Sequence, residues 1–162
     1  MYQTILLAYD GKMSGRLALR EGARLAQVCG ARVVLLAIVD PAEGFVPLAG
    51  IAGVYVEPVQ PDRSDEFQKI LDEGAERLTR MGLVPEARLE KGEPAERIAF
   101  VAKNVGADLV VVGHQKQGMV ARWLIGSVTA TLSDSLDCSL LVARQGRVVE
   151  EFSPRDATEE NL

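Results

Sequence analysis

The sequence predicts an α/β fold: a Rossmann-like, open five-stranded parallel sheet in the order 3-2-1-4-5, with helices on both faces. Three observations predict it. Thr4 to Tyr9, Arg32 to Val39 and Leu109 to Val112 are short, continuously apolar runs, as in strands covered on both faces. Between them lie stretches with apolar residues at helical spacing, and glycines or aspartates punctuate the changeovers. Strands alternating with helices imply a parallel sheet, and right-handed crossovers wound outward from the first strand give the order.

Taken in turn, the first strand is broken by Asp10-Gly11. Ser14 is a suitable N-cap for a helix reaching Cys29, with Leu17, Ala18, Gly22, Leu25, Ala26 and Cys29 on one stripe and Gly30 as its stop. The second strand ends at Asp40-Pro41. Residues 41–61 then mix glycine and proline with Phe45, Leu48, Ile51, Val54 and Tyr55. A loop of that length either covers a ligand, contacts a partner or is a surface excursion. Ser64 caps the next helix, whose stripe is Phe67, Ile70, Leu71, Gly74, Leu78 and Met81, closed by Gly82. Val84 to Glu90 alternates and suits an edge strand. Pro94 opens a helix with Ile98, Ala99 and Ala102 inward. The central strand from Asp108 comes next, then a helix from Ser127 to Leu136 and a last strand over Ser139 to Ala143.

At 162 residues, 1–144 reads as one domain and 145–162 as an acidic, disordered tail. The net charge of −5 is uneven: residues 150–162 carry −4, which leaves the folded part near neutral. Without a basic stripe, nucleic acid is not an expected partner. No apolar run reaches the roughly 18 residues of a membrane span, and the N-terminus has no signal-peptide pattern, so a cytoplasmic location is expected. Cys29 and Cys138 form no CxxC pair and accompany a single histidine, which argues for thiols packed in a core and against zinc.

The stretch that carries chemistry is the fourth strand and the loop and helix start beyond it. Gly113-His114-Gln115-Lys116-Gln117-Gly118 has P-loop spacing, but Met119-Val120 replaces the Lys-Ser/Thr that grips phosphate and magnesium, so that reading fails. No G-x-G-x-x-G occurs. What remains is Gly113, two residues, Lys116, nine residues, then Gly126-Ser127 opening a helix, where unpaired N–H groups and the helix dipole favour an anion. With the opening Ile5-Leu6-Leu7-Ala8-Tyr9-Asp10-Gly11, with Gly92-Glu93-Pro94 and with Cys138-Ser139-Leu140-Leu141-Val142, this resembles the universal stress protein family. Nucleotide-binding members of that family carry G-x-x-G-x9-G-[ST]. Lys116 stands at the second glycine and either crowds the phosphates or lays an ammonium over them.

The resemblance implies ATP or another adenine nucleotide as ligand, with Mg or Mn held through its phosphates. It implies Ala8, Tyr9, Asp10 and Val39 around the adenine, Val112 and Gly113 beside the ribose and α-phosphate, and Gly126, Ser127 and Val128 on the phosphates. It further implies a homodimer through the last strand, where Leu140, Leu141 and Val142 form an apolar edge. His114 reads as a solvated loop residue, and Trp123 and Leu124 as packing. No nucleophile–base pair or spaced carboxylates point to an enzyme, although slow ATP hydrolysis stays open. The alternatives are a nucleotide-free interaction module of the same fold, and an ATP-hydrolysing or adenylyl-forming domain.

Overall fold

The strand at the centre, β1 (Thr4–Ala8), is apolar from Ile5 onward because it is flanked on both edges and covered on both faces. The structure, a computed structural model, describes residues 1–41, 62–114 and 131–144. Around β1 lie β2 (Arg32–Val39), β3 (Glu86–Lys91), β4 (Leu109–Gly113) and β5 (Ser139–Ala143) in one parallel sheet, order β3-β2-β1-β4-β5. This is the predicted order.

Alternate side chains divide the core in two. Ile5, Leu7, Tyr9, Leu35 and Val111 point to one face, under α1 (Met13–Cys29) and α2 (Ser64–Arg80). Leu6, Val34, Leu36, Val110 and Val112 point to the other, under α3 (Pro94–Val105) and Leu132 of the helical stretch 131–135. Each fully buried Leu or Ile contributes about 1.5–3 kcal/mol, so packing rather than helix propensity holds these helices to the sheet.

Several local expectations change. The N-cap of α1 is Lys12, with no side-chain cap, and Ser14 falls inside the first turn. The reason is Asp10: its Oδ1 accepts from the Lys12 N–H at 3.1 Å, and Gly11 turns at φ 73°, so a carboxylate closes the turn that a hydroxyl was expected to close. Likewise α2 has Arg63 as N-cap, and Asp62 accepts from the Ser64 N–H at 3.0 Å. On α1, Leu17, Leu25 and Cys29 are only half-buried, while Gly15, Leu19 and Ala23 join Ala18, Gly22 and Ala26 inside. That helix packs across β1, β2, β4 and β5, so its contact is broader than a narrow stripe. Val84 is 92% exposed and β3 begins at Glu86, where pairing with Val34 becomes possible. The edge position of β3 is as expected. Pro94 opens α3, and the Glu93 carboxylate accepts from the Glu96 N–H at 2.8 Å. Residues 42–61 and the tail 145–162 lie outside the described residues.

Candidate functional site

The order of the sheet reverses between β1 and β4, and the crevice at their carboxyl ends is where open α/β sheets take ligands. Leu7 pairs with Val111, so the strands deliver Ala8, Tyr9 and Asp10 beside Val112 and Gly113. Residues about a hundred positions apart in the chain therefore meet.

The meeting is close. A Cβ on Gly113 would stand 2.3 Å from the Ser14 carbonyl oxygen and 2.8 Å from the Gly15 nitrogen. The end of β4 thus touches the first turn of α1, backbone to backbone. Gly15 faces the Asp10 carboxylate just as tightly, since a Cβ there would lie 2.3 Å from Oδ1. Asp10 consequently lies across the start of α1, where the helix dipole favours negative charge. An anion is already supplied at this helix end by the protein itself.

The remaining predicted residues divide by face. Ala8 is half-buried and Val112 is 8% exposed, both on the α3 side. Val39 is buried on the α1–α2 side, one strand away, and its carbonyl accepts from the Gly92 N–H at 3.1 Å. Tyr9 turns its side chain to α2. It is 2% exposed, and its ring occupies the hollow left by Gly74, where a Cβ would come 2.8 Å from Cδ1. Its hydroxyl donates to Glu73 Oε2 at 3.0 Å. The Tyr9 ring is therefore committed to α2, because a buried phenol needs a polar partner and α2 supplies it. His114 is held by its backbone, whose N–H donates to the Ala143 carbonyl at 2.9 Å. Lys116, Gly126, Ser127 and Val128 lie outside the described residues.

Glu73 was not singled out from the sequence. One of its oxygens receives Arg16 Nη2 at 3.1 Å and Arg77 Nη2 at 2.7 Å, and the other receives Tyr9. The Arg77 hydrogen bond, outweighing desolvation and helped by Tyr9 and Arg16, holds its carboxyl below the usual range. Burial pushes the Tyr9 phenol up, against the opposing pull of Arg16 and with the carboxylate of Glu73 adding to the rise. The available signal was the pair of an inward Gly74 and a tyrosine on an otherwise apolar strand. Among the described residues, no group of three or more His, Cys, Asp or Glu is placed to hold a metal ion. No described helix is long and apolar enough to cross a membrane.

Comparison with known proteins bears on the same segments. The model of the universal stress protein family matches residues 1–144. A universal stress protein of Thermus aquaticus is 30% identical over 145 residues, covering 89% of this chain and 100% of that protein. Among solved structures, a universal stress protein in complex with cAMP superposes with a TM-score of 0.65 at 24% identity, covering 88% of this chain and 96% of the other. The universal stress protein from Archaeoglobus fulgidus in complex with dAMP gives 0.62 at 18% identity, over 88% and 98%.

Proposed function

The chain belongs to the universal stress protein family, and on that premise we propose that it binds an adenine nucleotide, ATP, in the crevice between β1 and β4. One observation carries this reading: Asp10 and Gly113 converge on the first turn of α1 at the point where the strand order reverses. Two solved relatives of the same fold are complexes with cAMP and with dAMP, which supports the adenine part of the reading.

In this reading the base lies against the strand ends, beside Ala8, the backbone of Tyr9, and Val39, with Asp10 accepting from base or ribose. Val112 and Gly113 border the ribose. Gly126, Ser127 and Val128 supply N–H groups and a hydroxyl to the phosphates, because the start of α1 is taken by Asp10. Mg or Mn is held through the phosphates. The protein acts as a regulatory or protective factor in the cytoplasm, works as a homodimer joined along β5, and has no metabolic reaction as its main task.

Isothermal titration of ATP into the purified protein tests this. Binding is expected, weakened about tenfold or more by Ser127→Ala, the loss of one charge-assisted hydrogen bond. Lys116→Gly in the same titration decides the role of that side chain: tighter binding means obstruction, weaker binding means charge assistance. Absence of binding by both the wild type and Lys116→Gly would favour the second reading, a nucleotide-free interaction module, for which the Lys116 substitution is the specific argument.

A further inference from the structure

The turn that carries Asp10 is gripped from a helix more than fifty residues further along the chain. Tyr9, its immediate neighbour, sends its ring into the Gly74 hollow of α2 and its hydroxyl to Glu73 at 3.0 Å. Glu73 is fixed in turn by Arg77, on its own helix, and by Arg16 of α1. Arg16 adjoins Gly15, the residue against which the Asp10 carboxylate lies. On the other side of the turn, the α carbon of Gly11 faces Ile70 of α2, whose Cγ2 would be 3.2 Å from a Cβ placed there. The contacts close a ring, from β1 through α2 to α1 and back to Asp10.

We propose that α2 is the positioning element of the nucleotide site, with Tyr9 and Glu73 as positioning residues that fix the Asp10 turn through the Tyr9–Glu73–Arg16 chain of hydrogen bonds. This rests on the nucleotide-binding reading and deepens it. Neither side chain touches the ligand. Each acts by holding the backbone of residues 10–12, and hence the Asp10 carboxylate, in one place before binding, which removes an ordering cost from the binding step. By reciprocity, a ligand that presses on Asp10 tightens α2, so α2 is also the element through which occupancy is felt outside the crevice.

The test uses the full chain as wild type, Tyr9→Phe, Glu73→Gln and Arg32→Ala. The last removes contacts to Glu86 and to the Val105 carbonyl, far from the turn along the strands. Three quantities are read: melting temperature, ATP affinity, and hydrogen exchange of the Lys12 amide in nucleotide-free protein. Tyr9→Phe and Glu73→Gln are expected to speed Lys12 exchange and to weaken ATP binding about three- to tenfold. Arg32→Ala is expected to lower the melting temperature while leaving both unchanged. Lys12 exchange that stays at the wild-type rate in Tyr9→Phe, or that rises equally in Arg32→Ala, overturns the proposal. A wild type that binds no ATP, with Lys12 exchange still responding to Tyr9→Phe, overturns the ligand reading and leaves the positioning of the turn standing. Should Tyr9→Phe fail to fold, Glu73→Gln gives the same readings, since its side chain is about one-third exposed and its loss spares the core.

Discussion

Gly113 shows how one residue can be read correctly for position and incompletely for cause. The family resemblance implied that this glycine, at the end of the fourth strand, lies beside the ribose and α-phosphate of a nucleotide. Its missing Cβ is filled instead by the Ser14 carbonyl, so the residue is first a contact between β4 and α1. Gly113→Ala is therefore expected to cost about 1–3 kcal/mol in urea unfolding even without nucleotide, as overpacking does. ATP affinity should fall with it, because α1 must shift and carries the Asp10 turn along. A variant of wild-type stability with weakened binding would mean the glycine serves the ligand alone. Asp10 is the complementary case. An aspartate after a strand reads as turn or ligand group, and here its carboxylate demonstrably closes the turn.

At the scale of elements, β5 carries the expectation with the most consequence. Leu140, Leu141 and Val142 are half-buried, and among the described residues β5 pairs only with β4. An apolar strand with one open edge is a site for pairing with a second copy. Sedimentation equilibrium is expected to show a dimer that Leu141→Lys converts to monomer with an unchanged circular dichroism spectrum, lysine being a common device for closing sheet edges. A wild type that stays monomeric at all concentrations would remove the dimer. The helices illustrate a different lesson. Inward glycines on α1 and α2 are legible from spacing. What they admit is not: Gly22 lies against Leu7, whereas Gly74 lies against Tyr9. Only the second contact leads to the site.

Across the whole molecule, two carboxylates tie distant parts together at opposite ends of the sheet. Glu73 joins three elements near the crevice. Asp108 joins the base of β4 to β1, accepting from the Gln3 N–H at 2.7 Å and the Thr4 N–H at 3.0 Å. Burial opposes the charge on Asp108, but those amides win and hold its carboxyl below the usual range, as Arg77 does foremost for Glu73. Both groups have folded values below their unfolded values of about 4. In that window the unfolded chain binds more protons, so their stabilisation is present above about pH 4 and is lost as pH falls through the folded values. The urea midpoint should therefore drop on acidification below about pH 4, and the acid limb should flatten in Glu73→Gln and Asp108→Asn. Tyr9 acts at the other extreme. Its raised phenol contributes stability that is present below about pH 10 and is lost as pH rises from there. Tyr9→Phe should remove that alkaline loss.

By itself the sequence determined the sheet, its order, the edge position of β3 and the convergence of Asp10 with Gly113. Buried parallel strands announce themselves as apolar runs, and the handedness of crossovers leaves few ways to arrange them. The segments Ile5 to Gly11, Gly92 to Pro94, Ala107 to Gly113, Gly126 to Val128 and Cys138 to Val142, taken together, likewise pointed to the family, whose model spans residues 1–144. Tertiary structure alone decided where polar tips go. That Tyr9 turns away from the crevice to Glu73, that Asp10 displaces Ser14 at the start of α1, and that Asp108 clamps the β1 amides are all contacts across the chain. Hydrogen bonds of this kind depend on which neighbour the packing brings within about 3 Å, and no local spacing of residues encodes that distance.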